Sequence, residues 1–239
     1  MREIKSVIFA CRCGPSIALL VTTLSPLGSA QVTVFFPEVD VYTGLATRTQ
    51  LWFQAKETRE DGEPTQVEIG PSLNFLVKPL VKLRSATVFD LDASKKRLLA
   101  LSVGYRYLLS PNAPSQNRIL LMATPNLPIR GDVVVTDRSR LEINFTNGNA
   151  SWRYRNKLTL QRTIPVHTYH PSPYASAEFY YNSKYGKWSA TAIYLGCIFP
   201  LGKKIQLNPY YEHGNSTGVT PDQQANAFGL ILNLFFRQK

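Results

Sequence analysis

Along most of the chain, apolar and polar side chains alternate with a period of two, and clusters of Pro, Gly and Asn interrupt the alternation. Period two belongs to a β-strand with two unlike faces, and no helical period of 3.6 is sustained anywhere. The pattern predicts strands at 45–56, 65–77, 97–109, 117–127, 132–146, 151–163, 174–183, 188–199, 204–213 and 226–236. That makes ten, rising to twelve if 79–96 or "VTVFF" at 32–36 adds a further pair. Nothing along the chain marks a domain boundary.

Several of these strands run to about 12 residues, where globular strands average about 5–6. At about 3.3 Å per residue and a tilt of about 40°, a 12-residue strand rises about 30 Å, the thickness of a bilayer's apolar layer. The faces agree with that geometry. In 97–109, Leu99, Leu101, Val103, Tyr105, Tyr107 and Leu109 share one side, with Ala100, Ser102, Gly104 and Arg106 on the other. In 65–77, Val67, Ile69, Leu73 and Phe75 oppose Gln66, Glu68, Ser72 and Asn74. In 204–213, Ile205, Leu207 and Tyr211 oppose Lys204, Gln206, Asn208, Tyr210 and Glu212. A half-solvated soluble sheet would alternate in the same way.

The segment "DRSRLEINFTNGNASWRYRNKLTLQ" (137–161) is more selective. Asn147-Gly148 is a favoured two-residue turn, since both positions tolerate positive φ. A hairpin folded there pairs Glu142 with Arg153, Arg140 with Arg155 and Arg138 with Lys157, while Ile143 meets Trp152 and Leu141 meets Tyr154 on the other side. A charge on a lipid-facing surface costs about 2–4 kcal/mol at mid-bilayer, so four or five would outweigh the ~5–15 kcal/mol stability of a typical fold. The charged side therefore faces water or fixed counter-charges, which in a membrane barrel means the lumen. Like charges directly opposite one another repel. A lumenal ladder of Arg and Glu is therefore expected, with Arg48, Glu68, Arg106, Arg138, Arg140, Glu142, Arg153, Arg155, Lys157 and Glu178 as its members. Its roles, in descending order of weight, are a salt-bridged structural interior, an anion-selective or solute-binding constriction, and catalysis.

The N-terminus changes the setting. Arg2, Lys5 and Arg12 precede the apolar run Ile17–Leu24, and Gly28-Ser29-Ala30 follows it, the order of a secretory signal peptide cleaved after Ala30. This divides the chain into a signal peptide, 1–30, and a barrel domain, 31–239. The net charge of +11 over 239 residues then falls to +9, with 24 basic and 15 acidic residues left. An exported basic chain suits an acidic membrane surface or small anionic solutes and makes nucleic acid a poor partner. Cleavage also removes Cys11 and Cys13, which leaves Cys197 without an intramolecular disulfide partner. Its place in "AIYLGCIF" suggests a buried, inert thiol.

"RSRLEINF", "SWRYRNKLTLQ", "AEFYYN" and "LSVGYRY" together resemble a bacterial outer-membrane β-barrel family, domain of unknown function 2490. The resemblance extends over most of 45–236. It implies architecture and an outer-membrane location, with outer-membrane lipids and the assembly machinery as partners, but no reaction. The final strand, closing on Phe236, also resembles the outer-membrane assembly signal, although Arg237-Gln238-Lys239 follow it.

Chemistry is sparse. His213 and Ser216, with Glu212 beside them, resemble the His-x-Ser pair of outer-membrane lipid A deacylases with one extra residue of spacing. A nucleophile needs its base within hydrogen-bond reach, and a strand continuing through Ser216 would put the two on opposite faces. His167 and His170 lie three apart in "TIPVHTYHPSPY", with no third metal ligand in view. No nucleotide-binding or zinc motif is present, and no cofactor is expected. Trp52, Trp152 and Trp188 are candidates for interfacial girdles, with a carbohydrate platform as their alternative use. The fold expected is all-β, a single antiparallel up-and-down transmembrane barrel of about ten strands. Its function is that of a small outer-membrane protein, structural or a narrow porin-like solute channel, with a lipid-modifying hydrolase as the alternative.

Overall fold

The computed structural model describes residues 32–77, 99–129, 131–217 and 223–236. The signal-peptide segment and the strand pair envisaged in 79–96 lie outside the described residues. The rest forms β1 (Val32–Ala46), β2 (Thr49–Glu60), β3 (Glu63–Val77), β4 (Leu99–Ser110), β5 (Ala113–Ile129) and β6 (Val133–Thr146). These are followed by β7 (Asn149–Arg162), β8 (Ser172–Asn182), β9 (Lys187–Leu201), β10 (Ile205–Ser216) and β11 (Gln223–Phe236). Each strand pairs antiparallel with its neighbour in sequence, and β1 closes the cylinder against β11. No helix occurs among the described residues.

Two features of the sequence reading need correcting. The described strands number eleven, the additional one being β1, and an odd count makes the first and last strands run the same way. Their seam is therefore parallel, with Val32 opposite Ala225 and Thr43 opposite Phe236. The strand expected at 45–56 straddles the Thr47-Arg48 turn and resolves into the end of β1 and most of β2. β1 escaped the alternation because Val34 and Phe36 on its inner face are as apolar as Phe35 and Val39 on its outer one, and Pro37 interrupts it.

The turns follow from their residues. Asn147 (φ 49°) and Gly148 (φ 77°) both adopt the left-handed conformation, and so do Asp61 (φ 49°) and Gly62 (φ 90°). Such turns match the right-handed twist of the strands they join. The β6–β7 register is the one this turn imposes, with Glu142 opposite Arg153, Arg140 opposite Arg155 and Arg138 opposite Lys157. The Asn147 rim also carries the β2–β3, β4–β5 and β8–β9 turns and the start of β1. The opposite rim carries the β1–β2 and β9–β10 turns and Phe236.

The two surfaces of the cylinder differ in chemistry. Outside are Leu101, Val103, Leu121, Leu158, Leu160, Ile193, Leu195 and Phe228, each at least 41% exposed. Trp152 stacks on Tyr181 near the Asn147 rim, and Trp188 packs edge-on to Tyr154 and Tyr181. Trp52 was expected with them but points inward, stacked on Tyr42 beneath the Arg106 guanidinium. Asn156 donates to Asp137 (2.6 Å), giving the outer face of β6–β7 a polar patch. Inside, Tyr194 and Tyr210 pack with Ala192, Phe36, Tyr174 and Ile231. Tyr210 lies flat on Gly229, where a Cβ would come within 2.0 Å of the ring. Glycine there makes room for a tyrosine inside a narrow cylinder.

Candidate functional site: the charged interior

Glu142 is fully buried and sits at the centre of the lumenal charges. Its carboxylate lies 2.6 Å from Arg153 Nη2, 2.8 Å from Arg140 Nε, 3.2 Å from Arg155 Nη1 and 3.8 Å from Arg118 Nε. One carboxylate thus engages arginines from β5, β6 and β7. Arg155 continues the chain of contacts to Glu178, which is 1% exposed, through Nη2 (2.9 Å) and Nε (3.0 Å). Glu178 also accepts hydrogen bonds from Tyr194 (2.7 Å) and Tyr180 (3.0 Å), and Arg138 Nη2 lies 3.5 Å away. Glu68 forms the third node, 3.0 Å from Arg118, 3.7 Å from Arg140 and 3.8 Å from Arg106. Arginine suits this work because its planar fork meets several acceptors at once.

Arg106 has a second task. The β3–β4 ladder runs from Ile69↔Tyr107 to Ser72↔Gly104 and skips the two positions between, at Gly70 and Pro71, where Pro71 has no N–H to offer. Arg106 Nη1 donates to the carbonyls on both sides of that gap, Pro71 O (2.8 Å) and Tyr105 O (2.9 Å), and to Ser72 Oγ (2.9 Å). Its Nε donates to Gln54 Oε1 (2.9 Å), and Gln54 in turn donates to Glu38. A wholly buried guanidinium therefore patches a break in the barrel wall.

Nine of the ten expected ladder residues point into this interior; Arg48 does not. It lies exposed in the β1–β2 turn, because the strand assumed to carry it ends at Ala46. Arg118, Lys56, Glu38 and Asp40 also point inward, although the sequence pattern does not mark them as ladder members. Arg118 shares its face with Leu120 and Met122, so β5 looks apolar on both sides. Its partners were within reach of the hairpin logic, since Arg118 stands opposite Asn144 on β6 and Arg106 on β4. Glu38 and Asp40 lie just past the 32–36 stretch, which the alternation marks only as an optional strand.

The interior is not filled evenly. A cavity of about 300 Å³ lies between Glu38, Asp40 and Glu212 on one side and Arg138, Arg155 and Lys157 on the other. It meets a second space of about 280 Å³, lined by Thr136, Thr159, Gln161 and Tyr174 toward the Phe236 rim. Arg138, Lys157, Tyr194 and Tyr210 border both.

The remaining chemical candidates come apart. β10 continues straight through Ser216, so His213 and Ser216 project from opposite faces, and His213 Nδ1 lies 2.8 Å from Asn226 Oδ1. Glu212 faces the lumen and cannot orient an outward imidazole. This geometry gives the hydrolase alternative no support. His167 and His170 are exposed in the β7–β8 connection around a small Val166–Tyr169 bridge, and no metal-binding cluster occurs among the described residues. Cys197 is half-buried rather than buried, on the outer side of β9.

These features define a class, the closed β-barrel with an apolar exterior and an ion-paired, partly hollow interior. Within it, the chain belongs to the family described as Protein of unknown function (DUF2490), whose model matches residues 35–225. No curated protein matches the chain.

Proposed function

We propose that this is a small outer-membrane β-barrel, exported with cleavage after Ala30 and held shut by its Arg/Glu network. The observation that carries this reading is the placement of Glu142, wholly buried among four arginines inside a cylinder whose exterior is apolar. Strands of 11–17 residues tilted by about 40° rise about 25–40 Å, enough for an outer-membrane apolar band. The Trp152–Tyr181–Trp188 cluster fits an interfacial girdle, with the Asn147 rim outside the cell and the Phe236 rim in the periplasm. Its partners are then outer-membrane lipids and the machinery that inserts barrels. The interior supports no defined reaction.

A second reading, a narrow solute channel, is favoured by the cavity beside Arg138 and Lys157. The two readings separate in planar bilayers. The full protein, purified from the outer-membrane fraction, is expected to show no steady conductance. Arg140→Gln with Arg155→Gln is expected to lower the temperature at which the compact band in unheated detergent gels gives way. Steady anion-selective conductance that falls in this double variant would establish the channel. Recovery of the mature protein from the aqueous fraction without detergent would overturn both readings.

A further inference from the structure

The lumenal charges fall into two sets. Glu68, Glu142 and Glu178 are bound up with arginines. The second set lines the 300 Å³ cavity beside Glu68, Glu178, Arg140 and Arg155 of the first, and consists of Lys157 on β7, Arg138 on β6, Lys56 on β2, Glu38 and Asp40 on β1, and Glu212 on β10. Among the described residues no ion pair holds Lys157, Glu38, Asp40 or Glu212. Lys157 Nζ instead stands 3.3 Å from the centroid of the Tyr194 ring. Arg138 reaches Glu178 through Nη2, while its Nε has no hydrogen-bond partner. Asp40 is only 4% exposed; its Oδ2 accepts from Tyr42 (3.3 Å), while among the described residues its Oδ1 has no hydrogen-bond partner.

The topology puts the acids and bases of this second set on opposing walls. In a ring of eleven strands, β1 stands five strands from β6 in one direction and five from β7 in the other. The acids of β1 therefore face the bases of β6 and β7 across the full width of the barrel. Glu212 adds to the acidic side; Lys56, opposite Glu38 in the β1–β2 register, offsets one of its charges while lying over the Phe36 ring. A cavity with cations on one wall and anions on the other suits a solute carrying both charges at its two ends. A solute of single charge leaves one wall unpaired, and a buried unpaired charge is costly. The volume equals that of about ten water molecules, room for a short aliphatic chain with charged termini.

We propose that this cavity binds a small zwitterionic solute, its carboxylate held by Arg138 and Lys157 and its ammonium by Asp40 and Glu38. The proposal rests on the reading of the interior as partly hollow and specifies the class of solute it admits. Calorimetric titration of the full protein in detergent tests it, with 4-aminobutanoate and 6-aminohexanoate as zwitterions against butanoate and butylammonium. Saturable binding of one of the zwitterions is expected, at least tenfold tighter than either single-charge probe. Asp40→Asn and Lys157→Met should each weaken that binding tenfold or more, while Arg48→Gln, in the exposed β1–β2 turn, should leave it unchanged. The compact gel band reports whether each variant is folded. Equal binding of butanoate alone, or no binding of any probe by wild-type protein that keeps its compact band, would overturn the proposal. Loss of the compact band in the wild type would instead count against the barrel reading beneath it.

Discussion

Replacing Glu142 by Gln is expected to cost about 3–5 kcal/mol, the range for removing one partner from a buried ion pair. The loss belongs at the upper end because four arginines lie within 3.8 Å of this carboxylate and would be left to repel one another. Glu178 still holds Arg155, but among the described residues no other carboxylate pairs with Arg153. Since typical folds are stable by about 5–15 kcal/mol, the variant should lie close to unfolding. A urea titration followed by the compact gel band measures the change. Adding Arg140→Met should restore part of the loss by removing one uncompensated charge, a coupling that independent sites would not show. A variant as stable as the wild type would mean that water, not protein charge, solvates the arginines.

Arg106→Leu is expected to be the second severe change, again about 3–5 kcal/mol. Its electrostatic share is modest, because Glu68 retains Arg118 at 3.0 Å and Arg140 at 3.7 Å. The larger loss is of donors: Pro71 O, Tyr105 O, Ser72 Oγ and Gln54 Oε1 would all be deprived of the guanidinium at once. Each buried acceptor left bare costs about 1–3 kcal/mol. Arg106→Lys should recover little, since an ammonium keeps the charge but cannot serve the backbone gap and Gln54 together. Comparison of unfolding midpoints for the Leu and Lys variants decides between the two causes. Near-complete rescue by Lys would show that charge, and not the patched ladder, is what Arg106 supplies.

Much of this interior was legible because one turn fixes one register. With Asn147-Gly148 in place, side chains alternate strictly, so the identities of Arg138, Arg140, Glu142, Arg153, Arg155 and Lys157 settle which side holds the charges. The same logic placed Glu68, Arg106 and Glu178, whose own strands alternate clearly. It failed where both faces of a strand are apolar, as in β1 before Glu38 and in β5 around Leu120 and Met122. It also could not foresee that the cylinder closes on an odd strand. Closure depends on how many strands the curvature accommodates, a property of the whole sheet that no local pattern encodes. The unpaired groups Asp40, Glu212 and Lys157 become distinguishable from the paired ones only when strands five apart are seen to face one another.

The central claim is that the charged face lies inside a cylinder whose other face meets lipid. Single-tryptophan variants reconstituted in vesicles of lipid brominated near the headgroup test it most directly, because the three tryptophans sample both surfaces. Trp152 and Trp188 are 43% and 55% exposed on the outer side, whereas Trp52 lies within the barrel beneath the Arg106 guanidinium. Fluorescence of the variants retaining Trp152 or Trp188 should be strongly quenched, and that of the variant retaining only Trp52 should not. Equal quenching of Trp52, or no quenching of any of the three in protein that keeps its compact band, would contradict it.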